Sequence, residues 1–141
     1  MDAVETHRRP RAVPIVAAFL FAATVIAAVV GVSLLYPNPL LDRLWKLNPP
    51  AEAAFRAIGR VSGVLLLALA AGTLACGNAM LRRRRWACWF AIALFAINAA
   101  GDLVSLAVTG DWARSAAGVL IAGAFLYALT RASVRRYFRS S

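Results

Sequence analysis

The chain alternates between long apolar runs and short polar segments, and this pattern predicts four helical membrane spans. The runs cover residues 14–35, 58–80, 86–108 and 112–130. A helix over 14–35 is about 33 Å long at about 1.5 Å per residue, enough to cross a bilayer core of about 30 Å. Pro14 fits the first turn of such a helix, where its missing N–H group costs no hydrogen bond. The predicted fold class is therefore all-α, a four-transmembrane-helix bundle over residues 14–132.

The basic segment before the first run, with Arg8, Arg9 and Arg11, also resembles the start of a secretory signal peptide. The apolar run is too long for a signal peptide, and no clear small-residue cleavage site ends it. We therefore prefer an uncleaved anchor preceded by a basic tail over residues 1–13.

The one long connection, over residues 36–57, contains a short amphipathic segment. Its leucines fall at helical spacing: Leu40, Leu41, Leu44 and Leu47. Prolines precede the segment, and Pro49 and Pro50 end it. Trp45 and the leucines favour a short interfacial helix in the first outer loop. The alternative is a small cap packed on the bundle.

Orientation follows from the distribution of arginine and lysine. One group of basic segments comprises Arg8, Arg9, Arg11, Arg82, Arg83, Arg84, Arg85, Arg131, Arg135, Arg136 and Arg139. The other connections hold Arg43, Lys46, Arg56, Arg60 and Arg114, partly offset by Asp42, Glu52 and Asp111. Cytoplasmic loops carry the excess of basic residues, so both termini, including the basic tail over 133–141, and the 82–85 loop are predicted to be cytoplasmic.

Composition changes how this charge is interpreted. The chain has 141 residues, of which 62% are hydrophobic, and a formal net charge of +10. In a soluble protein that charge would indicate nucleic acid, but these arginines flank apolar spans instead of lining a folded face. We expect no nucleic-acid partner. Anionic lipid headgroups at the cytoplasmic face are instead expected to contact Arg82, Arg83, Arg84, Arg85, Arg135 and Arg136.

The chain is rich in Ala and Arg, and Lys46 is its single lysine, which is typical of a GC-rich bacterial genome. Together with the predicted spans, this origin predicts a multi-pass protein of the bacterial inner membrane.

Polar side chains inside the spans are the candidates for chemistry, because burying them in lipid is costly. Asn98 lies near the predicted bilayer centre, and Asp102 and Ser105 follow on the same helical face. Arg60 enters the second span near its outer edge, with an axial gap to Asp102 of about 6 Å that an arginine side chain can reach. Ser115 of the fourth span lies close to the level of Asp102. These five residues form the candidate intramembrane polar site.

Two interpretations of this site are open. The functional one is a proton or substrate site on the outer half of the bundle. The structural one is an ion pair between Arg60 and Asp102, with Asn98 bonded to Thr24 or Thr73 across helices. We favour the structural one, because coupled transporters usually place an acid nearer the midplane and no second carboxylate lies within the predicted spans.

Motifs for catalysis, metal binding and cofactors are absent from the sequence. The single histidine, His7, lies in the N-terminal tail. Cys76 and Cys88 have no Cys-x-x-Cys spacing and lie near the cytoplasm, which keeps thiols reduced, so we expect two buried packing residues. The sequence predicts no catalytic residue, no metal ligand and no cofactor.

Two stretches, RRRRWACWFAIALFAINAAGDLV and LTRASVRRYF, resemble small uncharacterised bacterial integral membrane proteins with four spans. In these proteins a basic loop followed by Trp opens the third helix, and an Arg-Tyr-Phe tail ends the chain. The resemblance covers about half of the chain. It implies a four-span architecture and no particular activity.

The function expected from the sequence is that of a non-enzymatic structural or accessory membrane protein, which binds lipid or a partner membrane subunit. A small-residue face at Gly59 and Gly63 allows close helix approach, either within the bundle, which is the commoner use, or in a homo-oligomer. The alternative is a small transporter or channel, with Asn98, Asp102 and Arg60 lining its path.

Overall fold

The structure, a computed structural model, describes residues 10–36, 38–47, 49–110 and 112–139, without the side chains at 44, 105, 108, 109 and 114. All regular structure in these ranges is helical. The helices are α1 (Ala12–Leu35), α2 (Pro39–Trp45), α3 (Pro49–Ile58), α4 (Arg60–Leu81), α5 (Arg85–Thr109), α6 (Trp112–Thr130) and α7 (Ala132–Arg139).

Three of these helices are long and apolar enough to cross a membrane: α1, α4 and the Arg85–Val104 part of α5. A fourth span is counted only when α6 and α7, which meet at a bend of 55°, are taken together. The all-helical prediction is therefore confirmed for the described residues, and the chain has the architecture of a multi-pass membrane protein. The four-span count remains a prediction.

Glycines in the left-handed region mark two helix ends. Gly59, with φ 74°, separates α3 from α4, so the second span begins at Arg60 instead of residue 58. Gly110, with φ 68°, ends α5, and its N–H donates to the carbonyl of Leu106 at 3.1 Å. Glycine adopts this conformation without the steric cost of a Cβ atom.

Two short helices, α3 and α7, were not predicted from the sequence. The helix that was predicted in the first connection is present as α2, and Pro49 and Pro50 begin the additional helix α3. Proline suits the first turn of a helix as well as the residue after one. The C-terminal segment, predicted as a tail from residue 133, contains the eight-residue helix α7. The interfacial position of α2 stays a prediction.

The chain divides into two compact units, which we call the internal unit (Ala18–Ala75) and the terminal unit (Met1–Ala17 with Cys76–Ser141). In the internal unit, α1 and α4 approach closely at two glycines. A Cβ atom on Gly31 would lie 3.0 Å from the carbonyl oxygen of Gly63, and one on Gly63 would lie 2.9 Å from the side chain of Leu35. Away from the glycines, the hydroxyls of Thr24 and Thr73 are 2.8 Å apart.

The connection between α1 and α4 is also anchored within the internal unit. The indole N–H of Trp45 donates to the hydroxyl of Ser33 at 3.1 Å, and both residues are buried. The Trp45 ring lies 6.1 Å from that of Phe55. Exposed Arg56 bonds Glu52 at 2.8 Å and reaches Asp42 at 3.5 Å. These contacts hold α2 and α3 against each other and α2 against α1.

In the terminal unit, α5 packs along α6, and α7 contacts both helices. The rings of Phe95 and Phe125 stack across the α5–α6 pair at 4.9 Å. The fully buried side chains in the described part of this unit are apolar: Val13, Val16, Ala17, Cys76, Met80, Ala87, Ala91, Ala122, Leu129 and Val134. Most of this core lies toward the end of the unit that carries residues 82–85, which we call the arginine-rich loop.

Candidate functional site

The arginine-rich loop is a compact, hydrogen-bonded turn. The N–H of Arg83 donates to the carbonyl of Met80 at 3.2 Å, and the N–H of Arg84 donates to that of Ala79 at 2.9 Å. This pair of bonds is the Schellman pattern that closes a helix C-terminus. Arg84 is extended and leads directly into α5. The backbone of the loop is therefore fixed between α4 and α5.

Arg83 occupies the position in this turn where glycine is usual. Its φ is 61°, and it is the one non-glycine residue with positive φ in the described part of the chain. A side chain in this conformation costs about 1 kcal/mol relative to glycine. The Arg83 guanidinium lies 4.3 Å from the ring centroid of Tyr137, which is within range of a cation–π interaction of about 0.5–1 kcal/mol. The contact with α7 thus offsets most of the backbone strain.

Arg85 binds the last turn of α7. Its Nε donates to the carbonyl of Phe138 at 3.1 Å, and one terminal nitrogen donates to the carbonyl of Arg139 at 2.5 Å. The final carbonyls of a helix have no partner within the helix and carry partial negative charge. A planar guanidinium can satisfy two of them at once. Arg85 therefore ties the first turn of α5 to the C-terminal end of α7.

Helix α7 has one apolar and one cationic face. Val134, Tyr137 and Phe138 are buried, whereas Arg135 and Arg136 are exposed. The spacing of the three buried residues, i, i+3 and i+4, is the signal in the sequence from which this helix could have been predicted. Together with the loop, α7 presents a set of exposed arginines that we call the basic surface: Arg82, Arg84, Arg135, Arg136 and Arg139.

The predicted headgroup contacts therefore fall into two groups. Arg82, Arg84, Arg135 and Arg136 are exposed and belong to the basic surface. Arg83 and Arg85 also carry charge at this end of the unit, but their guanidiniums contact α7. Sequence reasoning gave all of them the same role and did not identify the two that hold the surface together.

The intramembrane polar site is partly brought together in the terminal unit. The Asn98 amide donates to the Asp102 carboxylate at 3.2 Å along α5, and Asn98 is exposed while Asp102 is half-buried. The Asp102 carboxyl lies directly against Gly118 of α6, and a Cβ atom there would overlap it. Ser115 is buried on α6. The absence of a side chain at Gly118 thus provides the space that Asp102 occupies.

The other two members of the predicted polar site are Arg60 and Ser105. Arg60 is exposed at the first position of α4 in the internal unit, so its pairing with Asp102 stays a prediction. Ser105 lies in α5, with its side chain outside the described set. The hydroxyls of Thr24 and Thr73, the predicted partners of Asn98, hydrogen-bond each other. One of the two donates to the other, and the hydroxyl that accepts can donate to a backbone carbonyl of its own helix.

Cys76 and Cys88 are both free and buried. The Cys76 sulfur lies 3.4 Å from the carbonyl oxygen of Ala87, so α4 and α5 meet here by way of small side chains. This placement agrees with the predicted packing role.

Comparison with family models, curated proteins and solved structures finds no match to this chain. The functional proposal therefore rests on the residues themselves.

Proposed function

We propose that the protein is a four-span inner-membrane protein of structural or accessory type, without enzymatic activity, that binds anionic phospholipid headgroups through its basic surface. The observation that carries the proposal is the docking of α7 on the arginine-rich loop by Arg83 and Arg85. This docking gathers exposed cations from two segments that lie about fifty residues apart in the sequence.

The charge of the basic surface and its expected depth in the bilayer both support a lipid ligand. An arginine near an anionic membrane surface contributes about 1 kcal/mol to binding, so several together provide a strong attraction. Trp86 and Trp89 are exposed at the start of α5, beside the loop. Tryptophan rings favour the headgroup level of a bilayer. The basic surface would then lie at the depth of the lipid phosphates.

In this proposal the N-terminus, the 82–85 loop and α7 are cytoplasmic, as the basic residues predict. Reporter fusions at the N-terminus, after Arg85 and at the C-terminus should all report the cytoplasm. A fusion near Asn48 should report the periplasm. A periplasmic C-terminus would contradict both the orientation and the fourth span.

Lipid binding is tested by native mass spectrometry of protein purified in mild detergent and supplied with phosphatidylglycerol or phosphatidylcholine. The parent should retain phosphatidylglycerol preferentially. The variant Arg135→Gln/Arg136→Gln should lose much of that preference. The control Arg43→Gln/Lys46→Gln removes the same charge from exposed residues of the internal unit and should keep it. Equal loss in both variants would show that net charge, and not the basic surface, governs retention.

A partner membrane subunit is the other ligand that this proposal allows. The arginines of the basic surface also attract acidic protein surfaces. Lipid and protein ligands are therefore distinguished by measuring binding with and without a second protein. Retention of phosphatidylglycerol by the purified chain, with no second protein present, supports the lipid. A stoichiometric partner that is displaced by Arg135→Gln/Arg136→Gln, with lipid retention unchanged, would favour the subunit.

The second candidate function is a small transporter or channel with a polar path at Asn98, Asp102 and Arg60. The observation that favours it is the exposure of Asn98 beside a half-buried carboxylate on an apolar helix. The test places single cysteines in a Cys76→Ala/Cys88→Ala background and labels them with a membrane-impermeant maleimide. A transport path predicts labelling of Asp102→Cys but not of Ile97→Cys, a control at an exposed apolar residue of the same helix. Protection of both favours the accessory role.

A further inference from the structure

The basic surface consists of two cationic segments whose relative position is fixed by side-chain contacts. One is the loop with exposed Arg82 and Arg84, and the other is α7 with exposed Arg135 and Arg136. The Schellman turn fixes the backbone of the loop. Burial of Val134, Tyr137 and Phe138 fixes α7. Neither cationic segment is a free tail.

Three specific contacts join the two segments. Arg85 makes two hydrogen bonds to the last carbonyls of α7, and Arg83 stacks on Tyr137. These contacts use two arginines of the loop to position the remaining cations. Because the helix and the loop that carry the cations are already held in place, binding a ligand that touches both segments requires little additional ordering of the backbone.

A ligand with two linked phosphates matches such a surface better than one with a single phosphate. When the first phosphate binds one segment, the second is held near the other at a high effective concentration. We infer that the basic surface selects phospholipids whose headgroup carries two phosphates, of the diphosphatidylglycerol type, over phospholipids with one. This inference rests on the proposed lipid-binding function and specifies its ligand class.

The test measures competition in nanodiscs between diphosphatidylglycerol and phosphatidylglycerol, compared at equal phosphate content against a phosphatidylcholine background. The parent should prefer the two-phosphate lipid about tenfold. The variant Arg85→Lys/Tyr137→Ser keeps every charge but removes the two-pronged bond and the stacking contact. It should bind both anionic lipids with similar affinity per phosphate.

The matched control is Arg43→Lys/Tyr36→Ser, which makes the same two changes at exposed residues of the internal unit, outside the basic surface. It should retain the preference of the parent. Thermal unfolding of each variant, followed by tryptophan fluorescence, verifies that the bundle is folded. If Arg85→Lys/Tyr137→Ser does not fold, the parent's own preference still decides the inference.

The outcomes separate this inference from the proposal on which it rests. If the parent binds both anionic lipids equally per phosphate, and both better than phosphatidylcholine, the two-phosphate selectivity is wrong and lipid binding stands. If neither is preferred to phosphatidylcholine, the proposed function is wrong. If Arg85→Lys/Tyr137→Ser folds and keeps the full preference, docking of α7 does not create the selectivity.

Discussion

Two polar regions of the terminal unit, the basic surface and the Asn98–Asp102 pair, are built in different ways. The basic surface is held by contacts between the loop, the first turn of α5 and the last turn of α7. The Asn98–Asp102 hydrogen bond links two residues one turn apart on a single helix, and the space for the carboxyl comes from Gly118. Long-range contacts thus position the first region, whereas local spacing and an absent side chain position the second.

This difference bears on function. A binding surface gains when the segments that carry its cations are fixed before the ligand arrives. A carboxylate in a membrane-spanning helix is costly unless polar groups or water compensate it, and the Asn98 amide is one such group. The comparison therefore favours the basic surface as the functional region and a structural role for Asp102. The substitutions below test each side of that comparison.

The largest effect is expected at Gly118. In Gly118→Val the new side chain would occupy the place of the Asp102 carboxyl, which must move within an apolar environment. We expect a loss of about 2 kcal/mol in the free energy of unfolding, measured in detergent. Gly123→Val is the matched control, because Gly123 on the same helix has open space around it. Adding Asp102→Ala to Gly118→Val should recover much of the loss. Equal effects of the two valines would contradict the close Asp102–Gly118 contact.

The next effect concerns the docking of α7. In Arg85→Gln the two bonds to the last carbonyls of α7 are lost, which should weaken docking by about 1 kcal/mol. Chymotrypsin cleaves after Tyr137 and Phe138, which are buried when α7 is docked. Cleavage there should become about fivefold faster, because it follows the undocked population. Arg84→Gln should leave the rate unchanged. A rate unaffected by Arg85→Gln would show that the apolar face alone docks α7.

A smaller effect is expected at Arg83, where two terms oppose each other. Arg83→Gly relieves the positive-φ strain and also removes the stacking on Tyr137, so the free energy of unfolding should change little. Arg83→Ala removes the stacking but keeps the strain, and should destabilise by about 1 kcal/mol. Thermal unfolding of the three proteins should therefore rank alanine below a nearly equal arginine and glycine. Alanine as stable as arginine would show that the cation–π contact contributes nothing.

The smallest effect is expected for Cys76→Ala/Cys88→Ala. Both thiols act as small packing groups, so expression and folding should resemble the parent, with a loss below about 1 kcal/mol. A disulfide found in protein alkylated directly in cells would instead indicate a redox role.

The long helices could be predicted from the sequence because each needs only an uninterrupted apolar run. Predicted bounds for α1, α4, α5 and α6 lie within about two residues of those observed. The short helices could not be predicted as securely. Pro49 both follows one helix and begins another, and the proline itself does not show which. In α7 only three apolar residues indicate an amphipathic helix, and the arginines between them made the segment resemble a charged tail.

Most contacts of the basic surface and of Asp102 could not be predicted from sequence patterns. Arg83 and Arg85 stand in a run of four identical residues, and nothing in that run distinguishes them from Arg82 or Arg84. Their partners on α7 lie more than fifty positions away. The Asn98–Asp102 bond was predictable as a shared helical face. The role of Gly118 was not, because it depends on which face of α6 meets α5.

The central claim, that the basic surface binds anionic headgroups, is tested most directly by ligand-induced thermal stabilisation. A ligand that binds only the folded protein raises its unfolding temperature. Phosphatidylglycerol added to the detergent-purified parent should raise Tm by several degrees more than phosphatidylcholine does. High salt and Arg135→Gln/Arg136→Gln should each reduce that difference, and Arg43→Gln/Lys46→Gln should preserve it. Equal stabilisation of the parent by both lipids, or a full shift in Arg135→Gln/Arg136→Gln, would contradict the claim.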